Sequence, residues 1–224
     1  MSNLSPIGIE DMDILTELQR RFLSEIAKSD LRESFFLTGG TALSAFFLEH
    51  RLSEDLDFFT EEPERVQHAL PVLEGISKRL GLSLEVRRQF RTFLEVHIHG
   101  QNEQTIKCDF AQDSPYRLQP KIVQAEFDIF TDNALDISCN KLSALFDRAE
   151  IKDFVDIFFI DKELFPFSEL LAKAKRKHVG LDNYWLAVAM MKVEELGPLP
   201  RMLKPLVVDE LIEFFHSAAK TLMK

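Results

Sequence analysis

Phe35-Phe36-Leu37-Thr38-Gly39-Gly40-Thr41-Ala42-Leu43, followed after a short connection by Asp55-Leu56-Asp57-Phe58-Phe59, decides the reading of this chain. The first run predicts a buried strand (residues 35–38), a two-glycine turn and a helix over about residues 42–49. A glycine pair after a strand lets backbone amides approach an anion closely, and the following helix directs its N-terminus at that anion. The second run predicts another buried strand. Asp55 and Asp57 are two apart on it, so their side chains share one face. Two carboxylates beside a phosphate-sized turn are what a divalent ion needs to hold a nucleoside triphosphate. These stretches together imply metal-dependent chemistry on a nucleotide.

Working outward, an amphipathic helix is predicted over residues 9–29, from Ile14, Leu15, Leu18, Phe22, Leu23 and Ile26. Thr60 as cap and Pro63 near the first helical position start a helix that Gly81 closes. Strand-like runs follow at residues 83–88, 92–99 and 105–110, the last two joined by a hairpin signal at Gly100-Gln101-Asn102-Glu103. In the last run Ile106, Cys108 and Phe110 alternate with Lys107 and Asp109. Asp109 therefore lies opposite Cys108 and completes a carboxylate cluster with Asp55 and Asp57 if the strands are neighbours. Residues 122–130 predict an edge strand, with a turn at Asp132-Asn133.

From residue 136 the pattern is helical: about 137–148 with Asp136 as cap, 151–160, 168–178, 182–195 and 209–223. The composition shift near residue 135 predicts two parts, a mixed sheet-and-helix domain (residues 1–134) and a helical domain (residues 135–224) lining the nucleotide cleft. The fold class is α+β.

Composition bounds the function. The chain has 224 residues, 46% hydrophobic and 29% charged, which fits a globular protein that needs no staples. Cys108 and Cys139 have neither metal-ligand nor redox spacing and read as buried thiols in a reducing cytosol. No basic-then-apolar leader opens the chain, and no apolar run approaches the ~20 residues of a membrane span. A cytoplasmic protein without membrane contact is expected. A net charge of −10 argues against non-specific nucleic-acid binding but leaves room for a local basic groove.

The pattern Leu37-Thr38-Gly39-Gly40-Thr41-Ala42-Leu43, then His50-Arg51-x-Ser53-x-Asp55-Leu56-Asp57-Phe58-Phe59, resembles the AbiEii/AbiGii-type nucleotidyltransferases of the polymerase-beta-like superfamily. A second signature, Lys141-Leu142-x-Ala144-Leu145-x-x-Arg148-Ala149-x-x-Lys152-Asp153-x-x-Asp156, is similar to that family's helix pair. The resemblance implies a polymerase-beta-like core (a mixed sheet with flanking helices) followed by a helical bundle. It implies a pyrophosphate-releasing enzyme that moves NMP from an NTP to an acceptor. The expected acceptor is RNA or tRNA, and the expected setting is the toxin half of a toxin–antitoxin or phage-defence pair, with an antitoxin encoded nearby. By the same resemblance Asp55, Asp57 and Asp109 hold Mg²⁺ (or Mn²⁺) and are catalytic. Gly39, Gly40 and Thr41 form the phosphate turn, Lys141 neutralises the triphosphate, and Arg148, Lys152 and Asp153 line the opposite wall. The superfamily more often has Gly-Ser where this chain has Gly39-Gly40, so backbone amides or Thr41 must replace a serine hydroxyl.

Other readings stay open on the sequence. Two alternatives stand beside RNA modification: transfer to a small molecule of the antibiotic type, and a catalytically inactive nucleotide-binding protein. Lys152 either faces the cleft or pairs with Asp156 at i,i+4. Arg51 and Ser53 either touch substrate or orient the loop before Asp55. The runs Lys173-x-Lys175-Arg176-Lys177-His178 and Arg87, Arg88, Arg91 are either solvated basic faces or RNA contacts. His97 and His99 share a strand face without a third ligand nearby and read as structural.

Overall fold

The structure, a computed structural model, describes residues 13–101, 104–195 and 197–223. Helix α1 (Glu17–Ala27) starts at a capping box: the Thr16 hydroxyl accepts from Gln19 N, and the Gln19 side chain accepts from Thr16 N. It buries Leu18, Phe22, Leu23 and Ile26. Residues 9–12 of the expected helix lie outside the described residues. A short α2 (Leu31–Ser34) leads into β1 (Phe36–Thr38), and α3 (Gly39–Leu43) follows at once. α3 runs on as a π-helical turn, Ser44–Leu48, and ends at Glu49 with φ 50°. Then come β2 (Leu56–Thr60) and α4 (Pro63–Leu80), with Pro63 at its first position and Gly81 (φ 69°) closing it. Thr60 ends β2 and is not the cap; Glu62 holds that position, and the Thr60 hydroxyl accepts from its N–H.

Strands β3 (Ser83–Phe90), β4 (Phe93–His99) and β5 (Thr105–Gln112) follow, then β6 (Ile122–Gln124) and β7 (Ile129–Thr131). The expected single edge strand over residues 122–130 is thus a hairpin, turning at Asp128 with φ 55°, a conformation that Asp tolerates. All seven strands form one mixed sheet in the order β3-β4-β5-β2-β1-β7-β6. β2 pairs parallel with β5 and antiparallel with β1; β7 pairs parallel with β1.

The two faces of the sheet differ by strand periodicity alone. Leu56, Phe58, Leu94, Val96, Ile98, Ile106, Cys108 and Phe110 are all buried, on the side where α1 and α4 pack. The alternate positions, with Asp57, Phe59, Lys107 and Asp109, look the other way, toward α5 (Ala134–Arg148).

After α5 come α6 (Ile151–Glu163), α7 (Phe167–Lys177), α8 (Asn183–Met191) with a 3₁₀ turn at Lys192–Glu195, and α9 (Val208–Leu222). α5 starts earlier than expected because Asn133, not Asp136, is its cap: Asn133 Oδ1 accepts from Asp136 N at 2.9 Å. Asp136 is buried in the first turn instead, where it accepts from Leu118 N, Gln119 N and Lys177 Nζ. The expected division at residues 134/135 coincides with the start of α5. One buried apolar cluster runs across it, from Leu15 to Ala219. The far end of the chain also reaches back: Leu52 N donates to Arg201 O, and Leu203 N and Lys204 N donate to His50 O. The loop that delivers Asp55 is therefore clamped by residues 201–204 on one side. Gln19 holds it on the other, its buried amide donating to Ser53 O and Glu54 O.

Candidate active site

Asp57 and Asp109 are register partners across the parallel β2–β5 pair, and Asp55 stands just before β2. Register partners share a face, on strands about 5 Å apart. Lys107, two residues before Asp109 on the same face of β5, joins them: its Nζ lies 2.7 Å from Asp109 Oδ2 and 3.7 Å from Asp55 Oδ2. Asp109 Oδ1 is buried without a hydrogen-bond partner. Burial pushes the Asp57 carboxyl up to about 6; Lys141 opposes the shift, and Asp109 and Asp55 add to it. Burial works against the Lys107 ammonium, but its bond to Asp109 and the charge of Asp55 raise its pKa overall.

The glycine turn is glycine for steric reasons. Gly39 has φ +73°, and a Cβ there would sit 2.1 Å from Asp57 Oδ2. A Cβ on Gly40 would sit 2.9 Å from Arg51 Nη2 and 3.0 Å from Ser53 Oγ. A serine at this position would have to displace Arg51 and crowd Ser53. Thr41 does not replace the superfamily's serine. Its side chain is buried and its hydroxyl donates to the Asp55 carbonyl, so it fixes the carboxylate loop and is absent from the cleft wall.

The opposite wall is α5, whose Lys141 and Arg148 are two turns apart on one face. Lys141 Nζ lies 2.7 Å from Asp156 Oδ2, and Arg51 grips the same carboxylate through Nε (2.7 Å) and Nη2 (2.9 Å). His50 Nε2 completes the set, 2.7 Å from Asp156 Oδ1. Burial alone would raise the Asp156 carboxyl; Lys141 and Arg51 beside it, with bonds from His50 and Arg51, hold it well below the usual carboxylate range. Burial pushes His50 down, outweighing Asp156.

Arg148 binds Asp153 through two bonds of 2.8 Å, and Asp153 is fully buried. Asp153 is thus no wall residue as expected; α6 turns it inward, where it orients Arg148. Lys152 does line the cleft, half-buried and 3.1 Å from Glu150 Oε2, and the alternative Lys152–Asp156 pair does not form because Asp156 points inward. This wall carries Arg51, Lys141, Arg148 and Lys152 against Asp153, Asp156 and Glu150, an excess of one positive charge.

Between the walls lies a cleft of about 280 Å³, with Gly39, Gly40, Ser53, Asp55, Asp57, Asp109, Lys141 and Arg148 in its lining. That is close to the ~300 Å³ at which small-molecule sites begin. Among the described residues no three His, Cys, Asp or Glu side chains already converge as a metal centre. The donor set nevertheless fits a hard divalent cation: three carboxylates, one orphaned buried oxygen on Asp109, and a crowded Asp57 that a cation would relieve.

Several of the remaining candidates are paired elsewhere. Arg87 pairs with Glu85, Arg88 with Glu95, and Lys177 with the buried Asp136. His97 lies 3.3 Å from Glu95. Burial pushes the Cys139 thiol up to about 12 and that of Cys108 well above its ordinary value, so neither is a nucleophile. Sequence reasoning missed Lys107, whose signal was its shared face with Asp109, and the loop-holding roles of Gln19 and His50.

The family described as "Nucleotidyl transferase AbiEii toxin, Type IV TA system" matches residues 21–217. The chain belongs to the AbiEii nucleotidyltransferase toxin family. The expected enzyme class and fold hold with it. A relative is an uncharacterised protein of Aquifex aeolicus (strain VF5), 30% identical over 184 residues, covering 81% of this chain and 84% of its own. Two solved structures share the fold. JHP933 from Helicobacter pylori has a TM-score of 0.61 and 20% identity, over 92% of this chain and 89% of its own. MenT4, a nucleotidyltransferase toxin from Mycobacterium tuberculosis H37Rv, has a TM-score of 0.65 and 13% identity, over 92% of this chain and 82% of its own. Among the described residues no helix is long and apolar enough to cross a membrane.

Proposed function

We propose that the cleft takes an NTP and a divalent cation, Mg²⁺ or Mn²⁺, and transfers NMP to a hydroxyl of an RNA acceptor, with tRNA the first to test. One observation carries this reading. The carboxylate pair Asp57–Asp109 faces a wall with net positive charge across a cleft of metabolite size. Asp55, Asp57 and Asp109 would hold the cation, which when bound offsets charge on the phosphates. Lys141, Arg148 and Lys152 take up the remaining phosphate charge. Phe59, Ile137 and Ala144 give the cleft an apolar strip for the base.

The acceptor oxygen attacks the α-phosphorus and forms a new P–O bond. The α–β anhydride bond breaks, and pyrophosphate leaves with the electron pair. The acceptor proton passes to the carboxylate of Asp109, the register partner of Asp57. Catalysis then rests on positioning and charge stabilisation, as phosphoryl chemistry requires. An antitoxin encoded nearby is the partner that the family's toxin–antitoxin setting supports.

Labelled NTPs incubated with total tRNA, and separately with a small-molecule panel, test the acceptor. Label in RNA that disappears with Asp57→Ala is the expected result. Label confined to a small-molecule product overturns the RNA assignment. NTP binding that survives Asp57→Ala with no product under any condition overturns transfer itself.

A further inference from the structure

Lys107 is the unexplained charge in this site. It stands on β5, a strand paired on both sides by β4 and β2, so its backbone has no freedom to withdraw. Its ammonium lies between two of the three carboxylates, in hydrogen-bond contact with Asp109 and within ion-pair distance of Asp55. Asp57, the third, has no ion-pair partner among the described residues, and Asp109 Oδ1 has no hydrogen-bond partner. The three carboxylates are therefore divided: one edge of the group is neutralised by the protein, and the other is left for an external cation.

We propose that Lys107 occupies the position of a second metal ion, so that this enzyme works with one divalent cation per chain. Two-metal phosphoryl-transfer sites place their ions about 4 Å apart, bridged by shared carboxylates. A bridging point between Asp55 and Asp109 is where Nζ sits. The charge balance of the carboxylates agrees: they carry −3, and one divalent cation with one ammonium carries +3, which leaves the triphosphate to Lys141, Arg148 and Lys152. Adding a second divalent ion beside Lys107 would place three cations on three carboxylates, with strong mutual repulsion at that spacing. Lys107 is then a positioning residue that fixes Asp55 and Asp109.

This inference rests on the nucleotidyl-transfer reading of the same cleft, and ion counting separates the two. The full chain is titrated with Mn²⁺, read by electron paramagnetic resonance, in the presence of α,β-methylene analogues of the four NTPs. Wild type is expected to bind one ion, Asp57→Ala none, Lys107→Arg one, and Lys107→Met, which keeps the apolar stem, two. Two ions in wild type, or one in Lys107→Met, overturn the inference while leaving transfer intact. The expected counts without transfer to any acceptor overturn the functional reading alone. No ion bound by any form overturns both.

Discussion

A Cβ on Gly39 would sit 2.1 Å from Asp57 Oδ2. The turn and the carboxylate occupy one space, so the glycine is set by Asp57 as much as by its own φ of +73°. Gly39→Ala is expected to destabilise the fold by about 1–2 kcal/mol through the left-handed backbone alone. It should also displace Asp57 and lower transfer by about 100-fold, the scale of a misplacement of roughly 1 Å. Gly81 is the control: its φ is +69° but nothing lies within 4 Å of its Cβ position. Gly81→Ala should show the same loss of stability with unchanged transfer. Thermal unfolding and label transfer on both variants check the pair; equal activities would remove the steric argument.

Gly40→Ser restores the residue more usual in the superfamily, and here it is expected to harm. The new Cβ meets Arg51 Nη2 at 2.9 Å, and Arg51 cannot swing aside without breaking its two bonds to Asp156 and its bond from Nη1 to Leu52 O. Transfer should fall by roughly tenfold or more. A rise in kcat/KM would show that the serine is accommodated and that Arg51 is not the reason for Gly40.

What was legible in the sequence depended on range. The alternation of Ile106, Cys108 and Phe110 with Lys107 and Asp109 is a local period of two, and it placed Asp109 on the open face before any partner strand was known. That β5 lies beside β2, which brings Asp109 to Asp57, is a non-local pairing that no local pattern carries. The partner of the Thr41 hydroxyl was hidden for the same reason: it is the carbonyl of Asp55, beyond the end of its own helix. Asp153 and Asp156 were readable in part. They lie three apart in a helix whose Phe154, Val155 and Ile157 are all buried, so both must find cations inside. Which cations they find depends on how α5 packs on α6. The Asn133 cap was hidden by Asp136 three residues on, an equally good capping residue by type.

Asp156 holds Arg51, Lys141 and His50 together, and Asp156→Asn leaves two buried cations without their carboxylate. A loss of about 3–5 kcal/mol at neutral pH is expected. The sign with pH follows from the depressed carboxyl. Between its folded pKa and the ordinary value of about 3.9, the unfolded chain binds the proton and the folded chain does not. The stability Asp156 contributes is therefore complete above pH ~4 and is lost as the pH falls below it. Urea unfolding of wild type and variant should show a gap that narrows in acid. A constant gap down to low pH would mean that the charge of Asp156 is not what stabilises this wall.

Thr41 and Lys152 separate fold from binding on opposite sides of the cleft. Thr41→Val keeps the shape of the side chain but leaves the Asp55 carbonyl without its donor, at about 1–3 kcal/mol. Because Thr41 is buried off the cleft, KM for the NTP should stay within about twofold while the melting temperature drops. Lys152 is the reverse. Its ion pair with Glu150 is exposed on both sides and contributes about 0–1 kcal/mol, so Lys152→Ala should leave the melting temperature unchanged. Its ammonium lines the cleft, and its loss should raise KM by roughly tenfold, the worth of one charge-assisted phosphate contact. Steady-state kinetics with calorimetry on the two variants distinguish the roles. A raised KM in Thr41→Val at unchanged melting temperature would return Thr41 to the phosphate turn, and an unchanged KM in Lys152→Ala would leave the triphosphate to Lys141 and Arg148.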